Sequence, residues 1–118
     1  MPLELKDLKF YMPAKDFELS KRFYTALGFS MSPGFGKTVD FELSGKRFRL
    51  QDYYVKDWAD NCMLVMAVDN VEAWHQHAQK MLESGAFPGM RVKAPEKVEH
   101  NLVLHVIDPT GVLLVFVQ

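Results

Sequence analysis

One local pattern occurs twice in this chain, and that repetition constrains the fold more than any other feature. Residues 7–12 read as a strand, after which Asp16 opens an amphipathic helix that stops at Gly28. Ser20, Phe23, Tyr24 and Leu27, spaced by three and four, would form its inward face. Residues 62–68 read again as a strand, and Asp69 opens a second helix ending near Gly85. There Asp69 and Glu72 have capping-box spacing, and Val71, Trp74, Ala78 and Met81 supply the apolar stripe. Each helix is followed by about three strand-like segments.

Two hairpins are legible in detail. Residues 38–51 alternate around Ser44-Gly45, which pairs Val39 with Leu50 and Phe41 with Phe48 on one side. On the other side the same register sets Asp40 against Arg49 and Glu42 against Arg47, so opposite charges meet. The last hairpin turns at Asp108-Pro109-Thr110-Gly111 between apolar runs 102–107 and 112–117. A βαβββ unit cannot bury its sheet alone. We therefore expect an α+β fold: two βαβββ modules forming curved mixed sheets around a cup, with the helices outside. The expected organisation is a single domain over residues 1–118. Module one spans about 5–53, module two about 62–118, with an aromatic-rich connection at 52–61.

Composition removes several functions. Fourteen Lys and Arg against 15 Asp and Glu leave a formal net charge of -1, without the basic footprint of a nucleic-acid binder or of a protein that sits on anionic membranes. No apolar run approaches the roughly 20 residues of a membrane span. The opening residues lack the apolar core of a signal peptide, and a single cysteine, Cys62, excludes an internal disulfide. A cytoplasmic protein is expected.

The segments Asp16-Phe-Glu-Leu-Ser-Lys-Arg-Phe-Tyr-Thr-Ala-Leu-Gly-Phe29, Val68-Asp-Asn-Val-Glu72 and Ile107-Asp-Pro-Thr-Gly-Val-Leu-Leu114 resemble the vicinal oxygen chelate superfamily. That superfamily includes glyoxalase I, bleomycin-resistance proteins and extradiol dioxygenases, and the likeness covers essentially the whole chain. It implies a site of four metal ligands, mostly His, Glu or Gln, on strands facing the cup. Carried onto this sequence, the first, third and fourth positions fall on Lys9, Met63 and Val115; only Gln51, near the second, keeps an oxygen donor. A divalent metal needs several convergent oxygen or imidazole donors, which lysine and valine do not provide. No metal and no cofactor are expected.

The resemblance then points to the metal-free, bleomycin-resistance-like branch. It implies small-molecule sequestration by a homodimer whose clefts are shared between subunits. Expected ligand contacts are Tyr53, Tyr54 and Trp58 as aromatic walls, with Lys9, Arg47, Arg49 and Gln51 fixing polar groups. Against Asp40 and Glu42, the cations Lys9, Arg47 and Arg49 leave one net positive charge, which disfavours cationic bleomycin and favours a planar neutral or anionic ligand. Two alternatives stay open: a glyoxalase-like metal-dependent lyase or isomerase, and a dimeric interaction module without ligand.

Other residues carry plainer expectations. His75 and His77 point about 200° apart on a helix and cannot share a metal. His105 is expected to be a partnered structural histidine, His100 to start a strand, and Cys62 to be a small buried thiol. Gly34-Phe-Gly-Lys-Thr38 leads into a strand, which makes it a turn and not a phosphate loop.

Overall fold

The computed structural model describes residues 2–118. In chain order the elements are β1 (Tyr11–Pro13), α1 (Phe17–Leu27), β2 (Ser30–Pro33), β3 (Thr38–Leu43) and β4 (Lys46–Gln51). There follow α2 (Lys56–Asp60), β5 (Met63–Ala67), α3 (Val71–Glu83), β6 (Arg91–Val98), β7 (Asn101–Ile107) and β8 (Leu113–Val117). They build two four-stranded mixed sheets, ordered β1-β4-β3-β2 and β5-β8-β7-β6, so the second repeats the strand order of the first. In each, the strand before the long helix runs parallel to the last strand of its module.

The helices form as their sequences dictate. Asp16 caps α1 by accepting from the Leu19 N–H at 3.1 Å, and Gly28 ends it at a φ of 126° that a side chain would resist. Ser20, Phe23, Tyr24 and Leu27 are the buried face. The β3–β4 hairpin keeps the expected register throughout, Val39 to Leu50 and Phe41 to Phe48, with Asp40 opposite Arg49 and Glu42 opposite Arg47. Both turn residues, Ser44 and Gly45, take positive φ, the geometry that matches strand twist in a two-residue turn.

Two local expectations need correction. The first strand begins at Tyr11, not residue 7, because only Tyr11–Pro13 finds a ladder on β4. Lys9 therefore lies before the strand, its amine 2.9 Å from Asp7. The cap of α3 is Asn70, not Asp69: its side chain accepts from the Ala73 N–H at 3.0 Å. Burial of Val71 as the first helical residue sets this start one residue later and leaves Glu72 a position short of a capping box.

A continuous core joins the modules. Tyr24, Phe41 and Phe48 pack in the first half, with Tyr24 and Phe48 centroids 4.9 Å apart; Trp74 stacks on Phe116 at 4.8 Å in the second. Each fully buried Phe or Leu contributes on the order of 1.5–3 kcal/mol. The polar link is the 108–111 turn. Asp108 Oδ1 accepts the backbone N–H groups of Thr110, Gly111 and Val112, each at 2.9 Å, while Oδ2 accepts the Tyr24 hydroxyl at 2.6 Å. Thr110 Oγ1 accepts from the Lys15 N–H and lies 3.2 Å from Ser20 Oγ. His77 Nε2 donates to the Ala26 carbonyl at 2.7 Å, tying α3 to α1.

Candidate ligand-binding site

Each sheet has one face under helices and one open face, and the chemistry sits on the open faces and at the seam between modules. On the first sheet, Arg49 is the centre. Its Nε and Nη2 donate to Asp40 at 2.7 and 3.1 Å, a bidentate pair, and Nη1 donates to the Tyr11 hydroxyl at 3.2 Å. The hydrogen bonds from Arg49 hold the Asp40 carboxyl below its ordinary range. Arg47 pairs with Glu42 at 2.9 Å, both side chains exposed. Lys9 lies alongside in a small hollow with Asp7, Asp40, Arg47 and Arg49. Adding Asp7 makes this cluster charge-balanced, which corrects the expected surplus of one positive charge.

The seam holds the aromatic residues of the connection. Its second half folds into the short helix α2, an element that no periodicity in the connection marks. Lys56 and Asp60 pair at 2.6 Å along it, and Asn61 Nδ2 donates to the Asp57 carbonyl at 2.7 Å. This helix turns Trp58 toward Tyr53, the ring centroids 6.2 Å apart. Together with Phe10, Tyr11, Gln51 and Cys62 they line a hollow of about 180 Å³. Burial pushes the Cys62 thiol up, and the nearby Asp108 charge adds to the effect. Cys62 is half-buried, more accessible than expected, but stays protonated and is a poor nucleophile. Tyr54 departs from the group: it does not line this hollow, and its ring lies under the Lys15 amine, 5.6 Å away.

The open face of the second sheet is different. Met63 and Val65 are 57% and 60% exposed, and Val115 lies beside Val65 in register. His105 stands on this face next to Val115, and its Nδ1 is buried with no hydrogen-bond partner, contrary to the partnered role expected for it. A larger hollow of about 400 Å³ lies beside the part of β4, Lys46–Phe48, that β3 pairs but β1 does not reach; Leu43, Arg47, Phe48, Leu64, Met66 and Trp74 help to line it. No sequence signal marked it, since it follows from the shortness of β1.

The donors do not fit a divalent metal. Lys9 is bound to Asp7, Met63 is exposed on β5, Val115 is buried on β8, and Gln51 sits in the seam hollow. Among the described residues no group of three or more His, Cys, Asp and Glu side chains could hold one. Among the described residues, no helix is long and apolar enough to cross a membrane.

This architecture, two four-stranded mixed sheets with helices outside, matches the two-module fold of solved bleomycin-resistance proteins. Neither a protein-family model nor a curated protein sequence matches the chain. Solved structures do. A bleomycin resistance determinant encoded on transposon Tn5 superposes with a TM-score of 0.77 at 18% identity, over 97% of this chain and 98% of that one. An antibiotic-binding protein from Streptomyces sp. CB03234 superposes at 0.75 with 21% identity, over 98% and 97%. Lactoylglutathione lyase from Agrobacterium tumefaciens reaches 0.69 at 13% identity, over 97% and 94%. The shared property is the fold.

Proposed function

We propose that this protein binds and sequesters a small molecule without a metal, as a cytoplasmic homodimer, and that the ligand is planar and neutral or anionic. The observation that carries the reading is the seam hollow, where Tyr53 and Trp58 form aromatic walls and Gln51 offers an amide. At about 180 Å³ it takes one ring, against roughly 300–1,000 Å³ for a typical ligand site. The rest of a ligand would lie on an adjoining surface, and a second copy would complete the cleft. Fold likeness to a bleomycin-binding protein solved with bleomycin supports a binding role. The charge-balanced face around Arg49 offers no acidic cleft for a cationic drug.

A glyoxalase-like lyase is the rival, favoured by the likeness to lactoylglutathione lyase and opposed by the donor set. Metal analysis of protein purified without chelator or tag separates them: below about a tenth of an equivalent is expected, and a full equivalent of one metal overturns the reading. Planar aromatic compounds screened by tryptophan fluorescence then test the hollow. Trp58→Ala should weaken any hit by about 1–3 kcal/mol. If Trp58→Ala instead dissociates a dimer and no compound binds the native protein, the chain is an interaction module.

A further inference from the structure

The larger hollow, at about 400 Å³, falls within the roughly 300–1,000 Å³ of a small-molecule site, which the seam hollow does not reach. No residue lines both. Leu43 and Phe48 reach it from the first module, and Leu64, Met66 and Val68 from the second.

Its walls are apolar, and the rings among them are already engaged. Phe48 packs edge-on against Tyr24 and Phe29, at 4.9 and 5.3 Å between centroids, and stacks on Phe41 at 5.5 Å. Trp74 is stacked on Phe116 at 4.8 Å. What remains for an occupant is mainly methyl, methylene and thioether surface from Leu43, Leu64, Met66 and Val68, each only partly buried. Such a surface favours a flexible aliphatic chain over a flat ring, and the Met66 thioether adapts to it.

Charge enters at the mouth, where Ser44, Lys46 and Arg47 are exposed. Arg47 is paired with Glu42 at 2.9 Å. The Lys46 amine makes no ion pair among the described residues and donates to the Ser44 carbonyl at 3.3 Å. An ammonium carries three donors, so this one keeps capacity for an anion. Among the described residues no carboxylate lines the hollow. Lys46 and Arg47 against Glu42 leave one positive charge there.

We propose that this hollow is a second ligand site, for an aliphatic monocarboxylate: its chain lies against Leu43, Leu64, Met66 and Val68, and its carboxylate meets the Lys46 amine. The site goes beyond the seam reading above and does not depend on it.

The test titrates decanoate into the full chain, followed by calorimetry and by the indole ¹H–¹⁵N signals of Trp74 and Trp58, the chain's two tryptophans, one at each hollow. Decanoate should move Trp74 and the Leu64 and Val68 methyls and leave Trp58 in place. Lys46→Met keeps an apolar stem and loses the charge, and should weaken decanoate by roughly tenfold or more. Uncharged decanol should bind the native and Lys46→Met proteins within about threefold of one another. Lys46→Arg keeps the charge and should hold decanoate within about threefold of native. An unmoved Trp74, equal decanoate binding by Lys46→Met, or an equal loss of decanol overturns the assignment. Shifts confined to Trp58 put decanoate in the seam hollow, which overturns the assignment and leaves the binding-protein reading standing. The rival occupant is the opening segment of a second copy, whose Leu3 and Leu5 are exposed. If Trp74 moves with those leucine methyls as protein concentration alone rises, the hollow is a subunit contact and the assignment fails.

Discussion

The two sheets share strand order, parallel closure and helix cover, yet their open faces have opposite chemistry. On the first, Asp40, Glu42, Arg47 and Arg49 satisfy one another across a hairpin. On the second, Met63 and Val65 stand in solvent and His105 has a nitrogen without a partner. The helix sides are alike because packing fixes them: Phe41 and Phe48 in one module correspond to Leu104, Leu114 and Phe116 in the other. Packing places no such demand on the open sides. A face that already pairs its own charges gains little from a partner, whereas an uncovered apolar face gains by being covered. That difference makes the second sheet the one with more to gain from a partner.

The largest effect should come from the feature the two modules share. Burial raises the Asp108 carboxyl, and the hydrogen bonds from Tyr24 and the turn amides oppose that rise. Asp108→Ala removes the acceptor of all four donors and should cost about 3–5 kcal/mol in urea unfolding. Tyr24→Phe removes only the Tyr24–Asp108 bond, one of several between the modules, and should cost about 1–2 kcal/mol. If Asp108→Ala unfolds one module while the other stays folded, the modules are less coupled than this turn implies.

The next effect separates the faces. Val65→Asp places a charge at the centre of the apolar face without touching the core, since Val65 is 60% exposed. If the proposed homodimer forms through this face, the change should convert it to monomer on a sizing column, a loss of roughly 3 kcal/mol or about a hundredfold in dimer affinity. Arg47→Ala on the opposite face should leave assembly unaltered. A Val65→Asp protein that remains dimeric would move the subunit contact elsewhere and remove the contrast between the faces.

Much of this contrast was legible in the sequence. The hairpin register followed from four charges meeting in opposite pairs, and the α1 core face followed from period alone. Features set by tertiary pairing were not legible. Residues 7–10 alternate much as a strand does, but only a ladder on β4 could show that pairing begins at Tyr11. Asp69 and Asn70 are both competent caps, and burial of Val71 chose between them. In the connection, Tyr53 and Trp58 converge because α2 turns one toward the other, whereas Tyr54, adjacent in sequence, faces away to Lys15. His105 looked like an ordinary strand histidine; its missing partner is visible only once Lys93 and Val115 are placed beside it.

The smallest effect tests whether the charged face is satisfied as it stands. Asp40 has an ordinary value of 3.8 and is held lower in the folded chain, chiefly by the hydrogen bonds from Arg49. A carboxyl with a depressed folded value contributes stability above its unfolded value and loses it as pH falls through the folded one. The contribution is therefore complete at neutral pH and disappears in acid, below 3.8. With side chains 12% and 25% exposed, Arg49 and Asp40 are only partly screened, whereas Arg47 and Glu42, at 68% and 49%, are wetter. Thermal melts from about pH 5 to about pH 2 should show the native protein and Asp40→Asn converging as Asp40 takes up its proton. Glu42→Gln should change stability by less than about 0.5 kcal/mol at neutral pH. Melting curves for native and Asp40→Asn proteins that stay parallel into acid would mean the Arg49 pair contributes nothing. The first sheet's open face would then be as available to a partner or ligand as the second's.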